Sequence, residues 1–87
     1  MSLKYDLFIE RRAQRELAKI SPPHQDRIIA AIKELADEPR PAGAKKLSGR
    51  EGWRIRIGEY RVLHEIKDEV PSLLVVAVGH RRDIYRK

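Results

Sequence analysis

No cysteine occurs among the 87 residues, so neither a disulfide nor a thiolate metal site can hold this chain together. That absence suits a reducing cytoplasm, which is the expected location. No apolar run approaches the roughly 20 residues that span a bilayer, so no membrane role is expected. The opening residues, Met1 to Asp6, lack the hydrophobic stretch of a secretory signal. There is no His pair at helical or turn spacing, no carboxylate cluster and no glycine-rich phosphate loop. Neither a metal nor a cofactor is therefore expected. Repeats and low-complexity segments are also absent.

What the chain has is positive charge. Nineteen Lys and Arg stand against 13 Asp and Glu, giving a formal net charge of +6 and a pI near 10.0. Such a balance favours polyanionic partners, and the positions of the charges decide how far. The length fits one small domain, 1–87, with a thin core and little stability to spare.

The hydrophobic pattern orders the elements. Residues 4–10 alternate, with Tyr5, Leu7 and Ile9 on one side, although Phe8 interrupts the pattern; a short strand is expected. Residues 11–20 read as a helix burying Ala13, Leu17 and Ile20, with Arg12, Arg15, Glu16 and Lys19 toward water. Ser21 is placed to cap a second helix, with Pro22 at its first position. That helix buries Ile28, Ile32, Leu35 and Ala36, widened by Ile29, and Pro39 and Pro41 stop it near Asp37. Residues 42–48 form a basic linker containing Lys45 and Lys46. Two strands follow, 52–57 and 60–66, joined by Gly58-Glu59, a pair that suits a type II′ hairpin turn. Residues 67–71 turn again, and the unbroken apolar run 73–78 reads as a strand buried on both faces. The expected fold is α+β. An N-terminal strand and a two-helix hairpin precede an antiparallel three-strand meander, in one sheet with the helices on one face.

The hairpin turn sets a register. Ile57 faces Tyr60, Arg56 faces Arg61 and Ile55 faces Val62. Alternation then puts Trp53, Ile55, Ile57, Tyr60 and Val62 on an apolar face and Arg54, Arg56 and Arg61 on the other. Like charges directly opposite each other destabilise a sheet. A solvated, arginine-decorated edge is one explanation, since charged edges guard against aggregation. That explanation predicts mixed signs, yet Glu59 and Glu65 lie at the turn and at the far end. An anion site is the other, because the planar guanidinium grips phosphate through a bidentate fork.

The tail extends this face. Arg81 and Arg82 follow the last strand directly. His80 precedes them, and Tyr85 offers either a stacking ring, a proton-transfer group or a packed C-terminal aromatic. Of the other histidines, His24 is expected at the surface, away from the rest. His64 falls on the apolar face near Trp53 and is expected to pack there.

Lys46-Leu47-Ser48-Gly49, the run from Trp53 to Val62 with its Gly-Glu-Tyr-Arg turn, and Val78-Gly79-His80-Arg81-Arg82-Asp83-Ile84-Tyr85 together resemble the RelE/ParE toxin superfamily. The resemblance spans nearly the whole chain, and the ending resembles the RelE branch. It implies a toxin of a type II toxin–antitoxin pair, a ribosome-dependent endoribonuclease that cuts mRNA in the A site without metal. The ribose 2′-OH would attack the adjacent phosphorus and the 5′-oxygen would leave. By resemblance Arg61 and Arg81 stabilise the phosphorane charge, and Tyr85 stacks on or helps activate the nucleotide. Arg54 and Arg56 match two basic positions that are lysines in the best-known members. Arginine cannot act as a general base, so Tyr85 or His80 takes the proton, or positioning and charge suffice. Lys45, Lys46, Arg54, Arg56 and Arg82 are expected to bind RNA. The implied partners are the ribosome, mRNA and a small acidic antitoxin, the last in a heterotetramer. Two alternatives stay open: a ParE-like toxin that inhibits DNA gyrase by protein contact, and an inactive relative that binds only antitoxin or RNA.

Overall fold

The structure is a computed structural model that describes residues 4–80. Arg81, Arg82 and Tyr85, on which part of the expected site falls, lie outside the described residues. Strand β1 (Asp6–Ile9) leads into helix α1 (Arg11–Ala18) and helix α2 (Pro22–Leu35). Strands β2 (Lys45–Lys46), β3 (Trp53–Ile57), β4 (Tyr60–Lys67) and β5 (Ser72–His80) follow. They form one five-stranded sheet in the order β1-β5-β4-β3-β2. The α+β class is as expected, with one strand more than the sequence pattern gave. Residues 45 and 46, expected as linker, pair with Arg54 and Trp53 as a short antiparallel edge strand.

The helix pair works as a crossover. β1 runs parallel to β5, a pairing that no tight turn can make. The helices therefore carry the chain across one face and bury a stripe there. Ala13 and Leu17 of α1 and Ile28, Ile32 and Leu35 of α2 pack on Ile55, Val62, Leu73, Val75 and Val78 of the sheet. Ser21 stands at the N-cap of α2 with extended backbone, but its side chain makes no capping bond. Pro22 and Pro23 occupy the first positions, where a missing N–H costs little.

Two expectations about exposure need correction. The β5 run is not buried on both faces: its helix side is sealed, while Leu74 and Val76 on the other side are only half-buried. A bulge explains its pattern. Leu63 pairs with Ala77 but His64 pairs with Val75, so Val76 is the extra residue. Glu16 does not simply face water. One carboxylate oxygen accepts the Val78 backbone N–H at 2.8 Å, and the other accepts from Arg12 Nε at 3.1 Å. β1 ends opposite Val75, so beyond that point the β5 edge has no strand neighbour on this side among the described residues. The Glu16 carboxylate takes over one donor there.

Candidate nucleic-acid interface

The β3–β4 hairpin turns at Gly58, whose φ is +60, while no non-glycine residue among the described residues has positive φ. Positive φ at the first turn position alone is the type II′ pattern. This turn fixes the pairs Ile57–Tyr60, Arg56–Arg61, Ile55–Val62 and Trp53–His64. Arg54, Arg56 and Arg61 consequently share the face away from the helices. Lys45 pairs with Arg54 and joins that face, whereas Lys46 pairs with Trp53. The Lys46 ammonium instead lies 5.6 Å from the Trp53 ring centroid, and the Arg40 guanidinium lies 5.4 Å from it. Both contacts are within cation–π range.

Arg56 is exposed, and Arg54 and Arg61 are half-buried. Glycine sits opposite Arg61 on the next strand: Gly79 pairs with it. Beyond Arg61 the outer face becomes apolar, with Leu63 and Ala77 buried against Leu47 and Val76. A cationic patch thus stands on a stiff central pair of strands with a small apolar floor beside it. Arginines hold their charge at any useful pH, so this patch can bind and stabilise anionic charge but cannot abstract a proton.

Strand parity separates His80 from the arginines. It pairs with Tyr60, on the helix side of the sheet, while Arg61 pairs with Gly79 on the other. The His80 ring meets the Tyr60 ring edge-on at 5.9 Å, and its Nε2 lies 4.0 Å from a Glu59 carboxylate oxygen. His24 is exposed but not isolated, contrary to expectation: its ring lies 5.5 Å from Tyr60. The contact joins the start of α2 to the hairpin, and local sequence pattern carries no trace of it. His64 packs as expected. It is wholly buried and its Nε2 donates to the Pro39 carbonyl at 3.0 Å. Its Nδ1 makes no hydrogen bond. Burial pushes the His64 pKa below its ordinary value, against the pull of the Pro39 carbonyl.

Arg40, which lies between Pro39 and Pro41 after α2, braces the site. It bonds Asp68 at 3.0 Å, and Tyr5 donates to the same carboxylate at 2.6 Å. These bonds, Arg40 first, hold the Asp68 carboxyl below its usual range, and the bond to Asp68 chiefly raises the Tyr5 hydroxyl. The cluster is exposed, so its effect is on geometry more than on stability. A groove of about 660 Å³ at the β3 edge is lined by Glu34, Asp37 and Glu38 with Arg56 beside them, so acids outnumber bases there. Among the described residues no group of acidic or histidine side chains is arranged to hold a metal ion. No helix there is long and apolar enough to cross a membrane.

Comparison with known proteins agrees with this geometry. The model of the ParE toxin of type II toxin–antitoxin systems matches residues 7–85. Toxin RelG of Mycobacterium tuberculosis (strain ATCC 25618 / H37Rv) is 34% identical over 93 residues, covering 98% of this chain and all of that protein. The toxin–antitoxin complex RelBE2 of Mycobacterium tuberculosis contains a chain that superposes with a TM-score of 0.80 at 27% identity, covering 91% of this chain and 100% of that one. The intact RelBE complex of E. coli contains one with a TM-score of 0.77 at 25% identity, covering 87% and 95%. A domain of this fold, matched over almost its whole length, belongs to the ParE toxin family within the RelE/ParE superfamily, as the toxin of a type II toxin–antitoxin system.

Proposed function

We propose that this toxin is a metal-independent endoribonuclease that cleaves mRNA in the ribosomal A site. The observation that carries the reading is the outer face of the hairpin. Arg54, Arg56 and Arg61 share it, and Arg56 stands directly opposite Arg61 across the ladder. A phosphodiester suits a face on which three guanidinium groups stand together, because each can grip its oxygens through a planar fork. In the reaction the 2′-oxygen bonds to phosphorus, its proton leaves to a base, and the phosphorus–O5′ bond breaks as O5′ takes up a proton. The products are a 2′,3′-cyclic phosphate and a 5′-hydroxyl. Negative charge grows on the non-bridging oxygens, and fixed guanidinium groups stabilise it without reorganising.

Arg61 and Arg81 are assigned to that charge, and Arg54, Arg56, Lys45, Lys46 and Arg82 to holding the RNA. Tyr85 is the first candidate proton carrier, because no arginine can serve; His80 is the second, since strand parity pairs it with Tyr60 and away from Arg61. The RelB-bound relatives support a cognate antitoxin for this chain, a small acidic protein forming a heterotetramer with the toxin. The competing reading is inhibition of DNA gyrase by protein contact, which the ParE description of the matching family favours. The test is cleavage of mRNA on programmed ribosomes by purified wild type, Arg61→Gln, Tyr85→Phe and His80→Gln. Loss in Arg61→Gln supports the nuclease. Activity retained in both Tyr85→Phe and His80→Gln removes each as sole base. No cleavage by wild type together with gyrase inhibition supports the alternative.

A further inference from the structure

Beside the arginine face lies a second feature of the same sign. The loop from β2 to β3 is closed by the Leu47 N–H donating to the Gly52 carbonyl at 3.0 Å. Between loop and strand is a hollow of about 290 Å³ lined by Lys46, Leu47, Ser48, Arg50 and Arg54. Three of the five lining residues are cationic and one is a hydroxyl donor, and no carboxylate is among them. That set matches a phosphate group: positive charge, several N–H donors and an O–H donor around a small polar space.

Arg54 belongs to both features. It lines the hollow, and it shares the outer face with Arg56, two residues along the same strand. Such a spacing is about 6.6 Å, of the order of one nucleotide step along an extended backbone. We infer that the hollow is a second phosphate subsite, which seats a backbone phosphate adjoining the one held at Arg56 and Arg61. This rests on the RNA reading of the hairpin face. The consequence is a substrate preference: the toxin grips two adjoining phosphates, so an oligonucleotide with a single phosphodiester cannot fill the site.

The variant to make is Arg50→Gln, with Ser48→Ala/Arg50→Gln as a second. Both residues are exposed loop positions outside the proposed chemistry. The probes are a 2′-O-methyl RNA dinucleotide, a decanucleotide of the same type, and programmed ribosomes. Binding is followed across a series of salt concentrations. The hollow as a subsite predicts about fivefold weaker decanucleotide or ribosome binding in Arg50→Gln. It also predicts a salt dependence shallower by about 0.7 in log–log slope, one phosphate contact fewer. Binding of the dinucleotide, which has a single phosphodiester, should not change. A loss on the free decanucleotide supports the adjoining subsite on the message; a loss confined to ribosomes assigns the contact to ribosomal RNA and overturns the adjoining position. Unchanged affinity and slope with both probes and both variants would overturn the subsite. Arg61→Gln, run in parallel, separates the readings: if it retains full cleavage, the nuclease reading fails whatever Arg50→Gln shows.

Discussion

Arg56 and Arg61 stand directly opposite each other across the β3–β4 ladder, on the face that the helices leave open. Like charges in that geometry oppose folding, so the pair sets stability against function. Arg61→Gln should raise stability by about 0.2–1 kcal/mol. The same change should lower ribosome-dependent RNA cleavage by about 10²–10³, the usual loss when one stabiliser of transition-state charge is removed. Urea unfolding and single-turnover cleavage, measured on the same preparation, check both directions. A variant that loses stability would show that Arg61 serves the fold first.

His64 gives the protein a pH dependence with a fixed sign. Burial lowers its folded pKa below the ordinary 6.5, so the unfolded chain binds the proton more readily. Stability is then complete above the unfolded pKa and falls as pH drops below about 6.5. His64→Gln should remove this part of the slope between pH 6.5 and 5, although it lowers stability at neutral pH by disturbing the bond to Pro39. Unfolding midpoints of the two proteins across that range provide the check. Parallel curves would contradict a buried neutral imidazole.

Glu16 replaces a missing strand. Removing its carboxylate leaves the Val78 N–H at a partly covered edge without its 2.8 Å acceptor. Glu16→Ala should cost about 1.5–3 kcal/mol, the range for hydrogen bonds to charged groups. Glu16→Gln keeps an acceptor oxygen and should recover much of that. Hydrogen exchange at the Val78 amide should speed up in the alanine variant and much less in the glutamine one.

Gly52 is held at φ +121, with Leu47 Cδ1 only 3.1 Å from where a β-carbon would sit and the His64 carbonyl at 3.4 Å. Gly52→Ala should lose about 1–3 kcal/mol through backbone strain, since the backbone carbonyl cannot move aside cheaply. Gly43, with open space around it, is the control, and Gly43→Ala should leave the thermal midpoint nearly unchanged.

The hairpin was legible because its information is local. Gly58-Glu59 fixes the turn, period-two alternation fixes the faces, and together they gave Arg56 opposite Arg61 and His64 inside. The helices were legible from their apolar stripes. β2 was not, because Lys45 and Lys46 carry no alternation and are ordered only by pairing with Trp53 and Arg54. The His24–Tyr60 and Arg40–Trp53 contacts were hidden for the same reason: each joins elements distant in sequence. The side of the sheet on which His80 lies was not legible from adjacency. His80 precedes Arg81 in the chain, yet strand parity places it with Tyr60 and not with Arg61. The Val76 bulge left no mark either, since an extra valine in an apolar run does not disturb the composition.

The central claim is cleavage of translated mRNA at the arginine face, and induced expression with mapping of mRNA 5′ ends tests it most directly. Wild-type toxin should produce new 5′ ends in frame, within translated codons, and Arg61→Gln should produce almost none. Growth arrest with intact mRNA and accumulating DNA damage would contradict the claim.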